Sequence, residues 1–431
     1  MIQKIEIEGY RLLHGFSAEM GRLTVVIGPN AVGKSTLLDC LQTISQCAEY
    51  PVNTVIGWHW GMSSLSNAAS SEQRLLWRIT FKKPENPHWS ILPIDNDQIL
   101  HYEVALKGDV QGVAQPEYEL LRNKDPYPGY NTPLKYLEAT PLRRQIYNRV
   151  KHELVPFDEA LPNQNKMGEI VAAPNKSSQP SLLGPDQEPA LMLSQMRFFN
   201  EFPIPSTARW LLSNMAFYPG FDVSRFSNLR TKAAEIKPLT MLTTNGENLG
   251  TVLHEILTRY DYRTTATEIR EFLLAAYPAF EEIHCDTTYG TPPQVLVRVR
   301  EKRMKRSIEL WELSDGMLRF LCLAAGLLNP APPVFVAVDE PESGLHPKLL
   351  PVVADMIKTA SEKTQVLITT HSPDLLNRFH IDDVAVMTRG EQFTSKWHRP
   401  SDRNSLVEML REVEGETLGD LHRSGELEAI G

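Results

Sequence analysis

Four short stretches carry residue types at spacings suited to phosphate chemistry. The first is Gly28-Pro29-Asn30-Ala31-Val32-Gly33-Lys34-Ser35-Thr36, a glycine-bounded loop closing on Gly-Lys-Ser. Glycines let such a backbone wrap closely around phosphate with its N–H groups turned inward, the lysine reaches the terminal phosphates, and the serine hydroxyl can ligate Mg²⁺. The second, "VFVAVDEPE" (334–342), is an apolar run ending in acids. Asp339 is placed to hold a Mg²⁺ shell and Glu340 to polarise an attacking water. The third, "VLITTHSPDLL" (366–376), ends its apolar run at His371, which can hydrogen-bond a γ-phosphate or orient Glu340. The chemistry implied is the binding and hydrolysis of ATP or GTP. The fourth, "LWELSDGMLRF" (310–320), sets Ser314, Asp315 and Gly316 at the start of an amphipathic helix. Such a start can hold an anion, and Ser314 or Asp315 also suits an ordinary N-cap.

These side chains need elements to position them. "LTVVI" (23–27) is continuously apolar, as expected of a strand buried on both faces, and "LLDCLQTI" after the loop has helical apolar spacing. The loop therefore has the strand-loop-helix context its chemistry requires. Three apolar strands, each ending in a phosphate-active residue, predict one edge of a parallel sheet in an α/β fold.

Composition limits the alternatives. Hydrophobic residues at 42% and charged ones at 23% of 431 residues suit a folded chain of two lobes, or one large body with an insertion. No apolar run approaches the roughly 18 residues of a membrane span, and "MIQKIEIEGY" lacks the uninterrupted apolar core of a signal peptide, so the expected compartment is the cytoplasm. Cys40, Cys47, Cys285 and Cys322 are scattered with no Cys-x-x-Cys pair, which predicts buried thiols rather than a zinc site or disulfide framework. A net charge of −9 opposes indiscriminate binding to nucleic acid, so any such contact would need a local basic patch.

The order of phosphate loop, "LSDG", Asp-Glu strand and strand with terminal His resembles the P-loop head of ABC-type ATPases, across roughly residues 1–50 and 240–400. Asn30 in the loop, "LSDGMLR" and "SGLHP" resemble the OLD/RecF/SMC-like branch rather than membrane transporters. "LSQMRFF" (194–199 with its flank), "FYPGFD" (217–222), "NGENLGTVLHEI" (245–256) and "LGDLHRSGELEAIG" (418–431) are similar to stand-alone AAA-family ATPases of bacterial and phage-defence loci. The resemblance implies a head-to-tail homodimer on ATP. Lys34 and Ser35 would bind phosphate and metal, Asp339 metal, Glu340 would be the base and His371 the switch. Ser314 and Gly316 would act on the partner's nucleotide. It also implies a glutamine bridging Mg²⁺ to the inserted lobe; Gln195 fits best, with Gln73 and Gln98 as alternatives. His346 departs from the family's usual aspartate. The implied partner beyond the dimer is an effector, a nuclease or toxin encoded nearby.

The expected organisation is 1–83 as the first part of the head, 84–240 as an inserted irregular or helical lobe, 241–400 as the second part of the head, and 401–431 as a tail. Seventeen of the 31 prolines fall between residues 84 and 219, which excludes a coiled-coil arm. Within the lobe the pattern predicts strands in "EQRLLWRITFK" and "QILHYEVALK", a helix near "PLRRQIYNRVKHEL" (141–154) and a mobile loop around 160–190. Arg143, Arg144, Arg149 and Lys151 would share that helix, and "VRVREKRMKR" (297–306) reads as a second basic cluster at a hairpin tip. "VEGETLGD" (413–420) resembles the acidic start of a Toprim nuclease, but too few residues follow it to build one. The rival readings are a RecF-like clamp on duplex DNA and an ATP-gated scaffold that does not depend on turnover.

Overall fold

The computed structural model describes residues 1–70, 72–84, 89, 92–109, 112–126, 131–160, 189–197, 199–231, 234–288, 293–390, 394–403 and 417–430. A six-stranded sheet lies at its centre. It contains β3 (Leu23–Ile27), β10 (Met215–Tyr218), β15 (Phe335–Asp339), β16 (Gln365–Thr369), β17 (Val384–Arg389) and β18 (Ser395–His398), in the order β10-β15-β16-β3-β17-β18. The first five run parallel and β18 closes the edge antiparallel to β17. The strands β3, β15 and β16 are mostly apolar, apart from Thr24, Asp339, Gln365 and Thr369, because both faces are covered. Successive side chains alternate between two cores: Val25, Ile27, Val336, Val338, Val366 and Ile368 enter one, while Val26, Phe335, Ala337 and Leu367 enter the other.

The second core joins this sheet, through the helix Lys34–Cys47, to an eight-stranded antiparallel sheet. That sheet contains β1 (Ile2–Glu8), β2 (Phe16–Glu19), β4 (Arg74–Lys82), β5 (Ile99–Gly108), β6 (Ala114–Asn123), β7 (Lys135–Thr140), β8 (Arg143–Asn148) and β9 (Glu153–Pro156), ordered β2-β1-β4-β5-β6-β7-β8-β9. A third, small sheet of β11 (Ala234–Glu235), β12 (Phe280–Thr288), β13 (Gln294–Glu301) and β14 (Ile308–Glu309) packs with helices Leu249–Thr258 and Arg263–Ala276 in the first core. Mixed sheets with flanking helices give the P-loop fold of an ABC-type ATPase head. No helix among the described residues is long and apolar enough to cross a membrane.

The strands expected in 72–82 and 98–107 form as β4 and β5. The helix expected over 141–154 does not: this stretch is the β8–β9 hairpin, paired from Gln145–Pro156 to Asn148–Glu153. β8 also pairs with β7, so a ladder on both sides overrides a helical reading. The basic residues consequently do not line one face. Arg144 turns back over the Phe157 ring at 5.3 Å, whereas Arg143 and Lys151 are exposed. Most of the loop around 160–190, and the first half of "VEGETLGD", lie outside the described residues.

Candidate functional site

The phosphate loop leaves β3 through backbone that only glycine adopts easily. Gly28 has φ +146° and a Cβ there would collide with the Met387 carbonyl of β17; Gly33 has φ +105°. The helix that follows has no side-chain cap and no acid in its first turn, so its N–H groups stay available to an anion. Ser395, at the start of β18, buttresses the loop by donating its hydroxyl to the Val32 carbonyl at 2.6 Å. Pro29, Asn30, Ala31 and Ser35 are exposed, Thr36 is half-buried, and Val32 and Gly33 are buried. Lys34 is buried, and its ammonium donates to the carbonyls of Gly28 (2.7 Å) and Pro29 (3.0 Å). Burial lowers its pKa, while nearby carboxylates, led by Asp339 and Glu340, pull it back up.

Those carboxylates stand at the end of β15, next but one to β3 in the sheet. The strand between them, β16, supplies Thr369, whose hydroxyl donates to Asp339 Oδ1 and accepts from the Glu340 backbone N–H at 3.1 Å. The Glu340 N–H also donates to the Thr369 carbonyl at 3.2 Å. Together these bonds hold Glu340 at φ +45°, a left-handed backbone that costs about 1 kcal/mol or more for a residue with a Cβ. Its side chain is exposed, 3.8 Å from His371 Nε2. Burial, followed by the charge of Lys34, lowers the His371 pKa against the pull of Glu340 and Glu342, which favours the neutral imidazole, able to accept a hydrogen bond. Glu342 fixes the same turn: one carboxylate oxygen accepts from the Thr370 hydroxyl (2.6 Å) and the His371 N–H (3.0 Å).

Lys34, Asp339, Glu340 and His371 thus gather at one sheet edge as the motifs predicted. Thr369, Thr370, Glu342 and Ser395 were missed, although hydroxyls at the end of "VLITT" and the third acid of "DEPE" were visible signals. "FYPGFD" also finds a place: Tyr218, Gly220 and Phe221 wall a cavity of about 180 Å³ with Arg319, Asp339, Glu340 and Ser343.

Ser314 behaves as a cap and remains open. The Met317 N–H donates to its hydroxyl at 3.3 Å, yet the residue is exposed and has no hydrogen bond to residues 28–36 of its own chain. Arg230 clamps the turn before it, donating to the Trp311 and Leu313 carbonyls (2.8 and 2.9 Å) and pairing with Asp315 at 2.6 Å. Gly316 approaches the Gly344 carbonyl, so a Cβ on it would sit at 3.6 Å. His346 is exposed and accepts from the Lys348 N–H at 3.2 Å.

Gln195 ends the 3-10 turn Leu193–Gln195. That turn is tied to the antiparallel sheet by the buried Glu119, which accepts from the N–H groups of Met192 (2.6 Å) and Leu193 (2.8 Å). No hydrogen bond joins Gln195 to Lys34, Ser35 or Asp339 among the described residues. Gln98 commits its amide to Asn123 and Tyr136, at 2.8 and 2.9 Å. Half of the second basic cluster is paired with acids: Arg298 with Asp286 and Glu309, Arg300 with Glu281 and Glu282, and Arg306 with Glu312.

Comparison with known proteins bears on the family and the fold. Residues 1–170 match a family described as an AAA ATPase domain. Residues 114–377, more than half of the chain, match one described as AAA domain, putative AbiEii toxin, Type IV TA system. No protein with a curated description matches. Among solved structures, the Smc head bound to the C-terminal winged-helix domain of ScpA is 13% identical, with a TM-score of 0.51, covering 92% of this chain and 97% of that one. An Smc head domain with an extended coiled coil, bound to the C-terminal domain of ScpA derived from Pyrococcus furiosus, is 12% identical with a TM-score of 0.48, covering 95% and 99%. At such identities the likeness concerns the fold alone. The chain is an AAA-type, ATP-binding ATPase and belongs to the family described as AAA domain, putative AbiEii toxin, Type IV TA system.

Proposed function

We propose that the chain is a Mg²⁺-dependent ATPase that dimerises head to tail on ATP and uses the closed-to-open change to control a partner effector in anti-phage defence. The observation carrying this reading is the exposed Ser314, whose hydroxyl makes no hydrogen bond to Lys34, Thr369, Asp339, Glu340 or His371 of its own chain among the described residues. Each chain then offers one complete half of a site and one half for its neighbour. The uncapped helix start and Lys34 bind the triphosphate. Ser35 Oγ and the free oxygen of Asp339 would hold Mg²⁺, with Gln195 reaching it from the inserted lobe; a hydroxyl and one carboxylate suit an ion that keeps several waters. Bound there, Mg²⁺ would neutralise charge on the phosphate oxygens. Glu340 takes the proton of the attacking water, and neutral His371 orients that water or the γ-phosphate. The family description, with its putative toxin and toxin–antitoxin system, supports an effector output.

Two experiments test the reading. Glu340→Gln should keep ATP binding, lose about 10² to 10⁴ in turnover and accumulate as an ATP-bound dimer in light scattering; a variant monomeric with ATP would count against dimerisation. Mixing Lys34→Ala with Ser314→Arg chains should restore part of the ATPase activity, because one of the two sites in a mixed dimer carries neither lesion. No recovery on mixing would exclude sites shared between chains.

A further inference from the structure

Behind the acids of β15 lies a cavity that none of the phosphate motifs uses. It holds about 180 Å³ between the ends of β10 and β15 and the helix Asp315–Leu327 that Ser314 begins. β10 flanks β15 on the side away from β3, so in sheet order the cavity and the phosphate loop stand on opposite sides of Asp339 and Glu340. Pro219, Gly220 and Ser343 are exposed where it opens, and a Cβ added to Gly220 would meet nothing within 4 Å. Arg319 is the only cation among the described residues of its wall. The half-buried guanidinium lies against Gly344, where a Cβ would sit 2.9 Å from Nε. Nε is buried without a hydrogen-bond partner, Nη1 reaches only the Ser343 carbonyl at 3.5 Å, and no acid pairs with the group among the described residues. That one bond is at the outer limit of length. A guanidinium withdrawn from water without a carboxylate calls for an anion, and its planar fork matches an oxyanion through two parallel N–H groups. The volume is several times the roughly 30 Å³ share of one water, which gives room for a tetrahedral oxyanion but not for a nucleotide.

We propose that this cavity is the release site for the inorganic phosphate cut from ATP, with Arg319 as the group that receives it. This role rests on the reading above, in which Glu340 activates the attacking water. The water oxygen bonds to the γ-phosphorus as the bond to the β–γ bridging oxygen breaks; ADP keeps that electron pair, and orthophosphate forms beside Glu340. In the head-to-tail dimer the partner's signature end covers the γ-position, so the product cannot leave as ATP entered until the chains part. Asp339 and Glu340 repel an anion passing between them, and Arg319 offsets that repulsion on the far side. The same two carboxylates keep the stop weak, so phosphate moves on past Pro219, Gly220 and Ser343 to solvent.

Two measurements on the full-length chain test this. In the first, the phosphate loop is filled with a non-hydrolysable Mg·ATP analogue, so that the γ-position is not free, and inorganic phosphate is titrated by the broadening of its phosphorus NMR line. Arg319→Gln should raise the dissociation constant about tenfold, and Arg319→Lys, which keeps the charge and loses the fork, should fall between. Ser343→Trp plugs the opening, keeps the arginine and should weaken binding as well; it serves if the glutamine variant folds poorly. In the second, single turnovers are followed by acid quench for cleavage and by a fluorescent phosphate-binding protein for release. Arg319→Gln should delay release by a similar factor and slow cleavage less. A merely structural arginine would instead lower the melting temperature and slow both together. Line broadening unchanged in both Arg319→Gln and Ser343→Trp, which would mark phosphate adsorbed elsewhere, overturns the proposal. So does release that keeps pace with cleavage in Arg319→Gln, or an ATP-dependent dimer lost in that variant while phosphate binding stays intact, which would make the guanidinium a contact between subunits. Each of these leaves the nucleotide site standing, whereas a wild type that neither holds the analogue nor cleaves ATP would sink that site and the release route with it.

Discussion

The acids at the end of β15 depend on a neighbour's hydroxyl. Thr369 donates to Asp339 and accepts from the Glu340 N–H, so one buried side chain fixes both the proposed metal ligand and the proposed base. A Thr369→Val substitution keeps the shape and removes both bonds. It should lower stability by about 1–3 kcal/mol, measured by denaturant unfolding, and weaken the Mg²⁺ dependence of turnover more than ATP binding. An unchanged Mg²⁺ profile would show that Asp339 needs no such support. At this scale the sequence was most legible where residue types are rare and ordered, as in Gly-Lys-Ser or Asp-Glu after an apolar run. It was least legible for Thr369 and Glu342, because a threonine ending a strand and a second acid in a turn are common without any function. Their roles come from bonds between the two strand ends, Thr369 with Asp339 30 residues away and Glu342 with Thr370 28 residues away, a separation only folding closes.

Single elements present these residues through backbone shape. The loop after β3 needs a left-handed Gly28 close under β17, where no Cβ fits. Gly28→Ala should therefore abolish ATP binding while the helical content stays near wild type in circular dichroism; retained binding would mean that the loop can relax. The turn before Ser314 has its own brace in Arg230, which joins two carbonyls and Asp315. The hairpin β8–β9 teaches the opposite lesson from the phosphate loop. Its sequence, "RRQIYNRVKHEL", has residues compatible with a helix, and local propensity is a weak guide where a neighbouring strand offers a full set of hydrogen-bond partners. The strand assignments of β3, β15 and β16 were secure for a physical reason: their buried, mostly apolar side chains feed both cores at once.

Across the whole molecule, one buried glutamine ties the central sheet to the antiparallel one. Gln365, 2% exposed at the start of β16, accepts from the Ile2 N–H and donates to the carbonyls of Ile2 and Gly21, all within 2.8 Å. Gln365→Leu would strand three backbone groups and should cost about 3 kcal/mol or more, read as a lower melting temperature; a change under about 1 kcal/mol would show that other contacts join the sheets. By itself the sequence determined the α/β class, the phosphate loop, the Asp-Glu strand and the terminal histidine, because each is written in contiguous residues whose chemistry and periodicity are local. Only the tertiary structure decided that the stretch from β4 to β9 extends an antiparallel sheet, that most arginines of the second basic cluster are paired with acids, and that Thr369 meets Asp339. These are pairings between segments far apart in the chain. Their free energy comes from burial and charge across folded surfaces, which no local spacing records.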